Sequence, residues 1–130
     1  MRLGVARDMR FIPLIAVLIF VLSPGAVRAV DPPYQAQMER LAETLGSLYF
    51  LEPLCRGKDA SDWRAEMSQL IELDQPDDDR KQRLAGAFND GYSAYGRLYR
   101  NCTVSASEAL ARLMAEAQQI AREIHTRYAE

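Results

Sequence analysis

The sequence predicts a small all-α domain, a four-helix bundle-like fold with one disulfide, preceded by a signal peptide. Three observations predict it. Four separate segments repeat their apolar residues every three or four positions, no segment sustains the alternation of a half-buried strand, and two cysteines follow a basic, then apolar, N-terminus.

The N-terminal segment carries Arg2, Arg7 and Arg10 ahead of an apolar run from Phe11 to Leu22. A helix needs about 20 apolar residues to cross the hydrocarbon core, so this run is too short for a span and reads as a signal sequence rather than an uncleaved anchor. Pro24 and Gly25 break the helix, and Val27-Arg28-Ala29 offers small side chains where a signal peptidase binds them. Cleavage is expected after Ala29, leaving 30–130 as a single helical domain with its core over about 34–128. That domain holds twelve Lys and Arg against seventeen Asp and Glu. Such an acidic balance repels phosphate backbones and anionic lipid, which argues against nucleic acid as a partner and against a stable membrane anchor after cleavage.

The elements follow in order. Val30 to Pro33 reads as a flexible extended lead-in, because two prolines remove backbone donors. Tyr34, Met38, Leu41, Leu45 and Leu48 then fall on one stripe of a first helix. Pro53 is expected to end or kink it near Leu51, with Gly57 closing the segment and Cys55 in that closing turn. A second, three-turn helix capped by Asp59 or Ser61 buries Trp63, Met67, Leu70 and Ile71 and stops before Pro76. Asp74 or Asp77 caps a third, whose first turn places Asp77, Asp78 and Asp79 at the positive end of the helix dipole. Its apolar arc runs through Leu84, Phe88, Gly91, Tyr92, Tyr95, Leu98 and Tyr99, with Cys102 near the centre. Ser105 and Glu108 form a capping-box pattern that starts a fourth helix. The stripe of that helix is Leu110, Leu113, Met114, Ala117, Ile120, Ala121, Ile124 and Tyr128.

Short connections make successive helices antiparallel, so the ends of the first and third helices share a pole. An even pair of cysteines in an exported chain reads as a disulfide, here Cys55 with Cys102. No catalytic residue is assigned. The chain has one histidine, His125, at the edge of the fourth stripe, and no Ser-His-Asp or Cys-His spacing. No metal and no cofactor is expected, since one His and two paired Cys do not make a soft-ligand site and successive helical aspartates point about 100° apart.

The least generic stretch runs from Phe88 to Arg100. Gly86, Gly91 and Gly96 each cost about 1 kcal/mol relative to Ala inside a helix, so something must offset them. One reading is close helix packing over the glycines. The other is a shallow binding surface where Asn89, Tyr92 and Tyr99 present polar groups beside a notch at Gly96, bordered by Arg56 and Trp63.

Leu54-Cys55-Arg56, Trp63-Arg64 with Met67, and Phe88-Asn89-Asp90-Gly91-Tyr92 leading to Cys102 resemble an uncharacterised alphaproteobacterial family of small exported two-cysteine helical proteins. The likeness covers Tyr34 to Tyr128. It implies a Gram-negative periplasm and a disulfide, and no chemistry. The expected role is a periplasmic binding or adaptor module acting through a helical surface on a periplasmic protein or envelope component. The alternatives are an envelope-acting enzyme using Glu52 or Asp90 as acid and base, and a ligand-sensing or inhibitor protein.

Overall fold

The computed structural model describes residues 29–129 together with Gly4. The signal-peptide segment expected at the N-terminus lies, but for Gly4 and Ala29, outside the described residues. The compact helical unit begins at Asp31. Among the described residues there are four α-helices and no strand: α1 (Gln35–Arg56), α2 (Trp63–Asp74), α3 (Asp78–Leu98) and α4 (Val104–Tyr128), with a 3-10 turn at Gly57–Asp59 between the first two. None is long and apolar enough to cross a membrane.

The helices run alternately up and down, and α1 is the centre. α3, α4 and α2 each pack against α1, in decreasing extent, and scarcely touch one another. This explains why α1 is buried well beyond its predicted stripe. Besides Met38, Leu41, Leu45 and Leu48 it buries Ala42, Thr44, Gly46, Ser47, Leu51 and Glu52. The rest of the core comes from Met67 of α2, Leu84 and Phe88 of α3, and Ala106, Ala109, Leu110, Leu113, Ala117 and Ile120 of α4.

The α1–α3 seam is a contact between backbones. A Cβ on Gly46 would stand 1.9 Å from the Phe88 carbonyl oxygen, and one on Gly91 2.0 Å from the carbonyl oxygen of Glu43. Only glycine fits at such a crossing, so the packing reading is right for Gly91, while Gly46 was not singled out in the sequence. Gly86 faces open space, and nothing in the structure explains it.

Several boundaries differ from expectation. Pro53 does not end α1, which continues to Arg56, with Gly57 at φ 58° as its C-cap and its N–H bonded to the Pro53 carbonyl. Proline forfeits one intrahelical hydrogen bond, but the adjacent Leu51 and Glu52 are fully buried and hold the last turns in place. Cys55 therefore lies in the final turn of α1. The α2 cap is Asp62, whose carboxylate accepts from the Ala65 N–H at 3.1 Å, rather than Asp59 or Ser61. Of that helix's four predicted buried residues only Met67 is fully buried. The others are half-buried because α2 leans on α1 alone. Asp77 caps α3, accepting from the Arg80 N–H at 2.8 Å.

α3 ends at Leu98, so Cys102 is not at the centre of a buried helical arc: it is exposed in the loop before α4. Leu98 is 69% and Tyr92 42% exposed, so neither is buried on the expected arc, whose buried members are Leu84, Phe88 and Gly91. The α4 cap is Thr103, its hydroxyl accepting from the Ala106 N–H at 3.1 Å. Ser105, expected as the cap, already lies in the helix and meets the Tyr99 hydroxyl at 3.2 Å.

The disulfide is formed between Cys55 and Cys102, with Cα atoms 5.0 Å apart and 47 residues of separation. It ties the end of α1 to the α3–α4 loop at one pole. A polar cluster ties the other pole. Arg80, only 8% exposed, donates to Gln35 Oε1 at 2.6 Å and to the Asp74 carboxylate, while the Tyr34 hydroxyl donates to Asp74 at 2.6 Å. Arg83 binds Asp31, Glu39 and Asp79, so the lead-in segment is fastened at Asp31.

Candidate functional site

The site follows from α2 and α4 both lying on α1 without joining each other. The α1 stripe Tyr34, Met38, Leu41 and Leu45 becomes the floor of a groove between them. Trp63, Glu66, Leu70 and Leu73 form the α2 wall; Met114, Ala121, Ile124 and Tyr128 form the α4 wall. Two cavities, about 440 and 240 Å³, lie along it and share Leu41, Leu70 and Ala121, so they adjoin along the groove. The small side chains Ala117 and Ala121 on α4 are what leave the space. Leu73 is 83% exposed at the rim.

The groove's polar groups are unevenly placed. At the end formed by the C-termini of α2 and α4, Asp74 is engaged by Tyr34 and Arg80, and the Tyr34 ring packs on Tyr128 at 5.6 Å. The hydrogen bond to Asp74, with burial second, raises the Tyr34 phenol above its ordinary pKa of 10.0. His125 lines the same end and is exposed. At the other end Glu66 lines the groove beside Trp63, with no ion-pair partner among the described residues.

The residues singled out in the sequence fall in three places. Arg56 and Trp63 meet at Glu52: the indole N–H donates to the buried carboxylate, the Ser61 N–H approaches it at 3.3 Å, and Arg56 lies 3.6 Å away. Glu52 is 1% exposed, so this cluster clips the end of α1 to the start of α2. Tyr92 lies on the α1–α3 seam, 5.6 Å from both Tyr49 and Phe50. The notch expected at Gly96 is occupied, since the Phe50 ring stands 3.5 Å from where a Cβ would be. Arg64, rather than Arg56, reaches these aromatics, 5.4 Å from the Tyr49 ring centroid. Tyr99 stacks on Tyr95 at 6.2 Å, and Asn89 is exposed on α3. Burial raises the pKa of Tyr95, with the neighbouring Tyr99 adding to it.

Asp90 lines a different, polar cavity of about 560 Å³ between α1, α3 and α4, where Arg40 and Glu116 pair at 2.7 Å. Among the described residues no three His, Cys, Asp or Glu side chains gather as metal ligands. Leu70, Leu73 and His125 of the groove were not chosen as contacts from the sequence. The second-helix stripe of Trp63, Met67, Leu70 and Ile71 does not show that α2 and α4 stay apart.

A family model described as "Protein of unknown function (DUF2385)" matches residues 33–128. The chain belongs to this family. The match spans all four helices, the disulfide and the groove, so these features belong to the DUF2385 region itself. No curated protein and no solved structure matches the chain.

Proposed function

We propose that this DUF2385 protein is an exported, non-catalytic adaptor in the bacterial envelope, and that its α2–α4 groove docks an amphipathic helix of a partner protein. The observation that carries the reading is the pair of adjoining, mainly apolar cavities along α1, walled by two helices that do not close over them. Small ligands are held in cavities that bury most of their surface. A groove open along its length instead suits an elongated occupant, and helix-in-groove recognition supplies one with apolar anchors every three or four residues. The wall has the right length: α2 has 12 residues, or about 18 Å at 1.5 Å per residue, matching a three-turn helix. Export is supported by the basic and apolar N-terminus with its peptidase-like Val27-Arg28-Ala29, and by a disulfide that oxidising compartments favour.

Site-specific photo-crosslinking in the native host tests this. A photoreactive residue at Ala121, in the groove, is expected to give a discrete adduct with one exported protein, whereas the same probe at exposed Ala115 gives none. Identical patterns at both positions, or no adduct at Ala121, would overturn the groove reading. Intact mass of the exported form is expected to begin at Val30, and a full-length mass in the membrane fraction would contradict export by cleavage.

A further inference from the structure

Resting on that reading, we infer that the docked helix is cationic near its C-terminus and lies antiparallel to α2 and α4, with a Lys or Arg against Glu66. Two independent features of the groove give the same register.

The first is charge. Of the two carboxylates lining the groove, Asp74 is held by the Tyr34 hydroxyl and the Arg80 guanidinium, its side chain about one-tenth exposed. Glu66 is exposed, and among the described residues it pairs with nothing. Across the groove from it α4 presents Met114 and Gln118, which are neutral. An occupant that placed an acid there would meet repulsion, and an apolar residue would leave the charge beside a covered surface.

The second is the direction of the walls. α2 runs from Trp63 to Asp74 and α4 from Val104 to Tyr128, and Tyr34 touches both Asp74 and Tyr128. Both wall C-termini therefore stand at one end of the groove, where α1, the floor, has its N-terminus. A docked helix that continues the up-down order puts its own N-terminus at that end, antiparallel to both walls and parallel to the floor. Its last turn then arrives at the Trp63 end, beside Glu66. A basic residue in a last turn also complements that helix's own dipole, so the two requirements reinforce each other.

Trp63 is the only tryptophan in the chain and lines the groove next to Glu66, so its emission reports occupancy. Three amphipathic peptides of about 14 residues serve as probes, each with leucines at helical spacing. They carry a lysine in the last turn, a glutamate in the last turn, or the lysine moved to the first turn. At low salt the last-turn lysine peptide is expected to bind about five-fold more tightly than either of the others, the size of an exposed ion pair. The advantage should shrink at high salt. Glu66→Gln is expected to abolish it, and Glu66→Lys to reverse the preference between the lysine and glutamate peptides. If all three peptides bind alike and the Glu66 variants change nothing, the charge and orientation inference is wrong while the groove reading survives. If none of the peptides perturbs Trp63 emission at millimolar concentration, the groove reading itself fails.

Discussion

Adding a single methyl group at Gly46 is expected to wedge α1 from α3, and the structure sets the size of the effect. The new Cβ would stand 1.9 Å from the Phe88 carbonyl oxygen, whereas ordinary contact begins at 3.4 Å. Because the clashing atom is backbone, no side chain can swing aside, and the helices must separate by about 1.5 Å or shift along each other. Overpacking of this kind costs about 1–3 kcal/mol or occasionally more, and the rigid contact puts Gly46→Ala at the upper end. The better helix propensity of alanine returns about 1 kcal/mol, leaving a net loss of about 2 kcal/mol or more. For a domain of this size each kcal/mol moves the melting temperature by about 4–8 °C, so Gly46→Ala should melt about 8–16 °C below wild type. Gly91→Ala should do much the same against the Glu43 carbonyl. Gly86 has nothing within 4 Å of its would-be Cβ, so Gly86→Ala keeps the propensity gain and should melt a few degrees higher. Thermal unfolding followed by circular dichroism at 222 nm reads all three. A Gly46→Ala protein melting at or above the wild-type temperature, or a Gly86→Ala protein as damaged as Gly46→Ala, would refute the backbone-contact account of the seam.

Removing both cysteines by Cys55→Ser with Cys102→Ser is expected to lower the unfolding free energy by about 2–5 kcal/mol in urea titration, since loop closure over this separation is worth about 4 kcal/mol; an unchanged midpoint would show that the cross-link does not stabilise the fold. Arg80→Met should cost about 3–5 kcal/mol, because it strands the Asp74 carboxylate, whose side chain is only about one-tenth exposed, and Asp74→Asn in the same chain should recover part of the loss; strict additivity of the two would argue against coupling. Tyr34 titrates above its ordinary value in the folded protein through its bond to Asp74, so the stability linked to it is complete below about pH 10 and is lost as pH rises through the folded-state pKa. The melting-temperature difference between wild type and Tyr34→Phe should therefore shrink above pH 10, and a difference that is constant from pH 8 to 11 would contradict the hydrogen bond.

Much of the fold is legible in the sequence because it depends on local signals. The four apolar stripes, the aspartate-rich start of α3 and the cysteine pair each announce an element or a tie by themselves. What the sequence does not show is which helix lies at the centre. The α1 stripe reads as one face, yet Ala42, Gly46 and Ser47 on another face are buried against α3, and small residues carry little hydrophobic signal. Local signals also displaced the cap of α4: Ser105 is the better cap by residue type and has Glu108 three residues on, yet backbone geometry selects Thr103. Cys102 was placed in a helix because its spacing from Tyr99 and Tyr95 continues the stripe, although α3 ends four residues earlier. The candidate site was less legible still. The tyrosines of α3 stand out in the sequence, but in the fold they pack against Tyr49, Phe50 and one another, whereas the groove arises from the failure of α2 and α4 to meet. That separation is a tertiary fact with no local signature beyond two alanines in the α4 stripe.

The groove is tested most directly by methyl-resolved NMR of the protein purified from the full gene, titrated with the amphipathic peptide carrying a last-turn lysine. The account predicts saturable shifts at Leu70, Leu73, Ala121 and Ile124, with Leu84 in the α1–α3 core unmoved. Shifts centred instead on Ala94 and Leu98, beside the α3 tyrosines, or spread evenly over the helices, would contradict it.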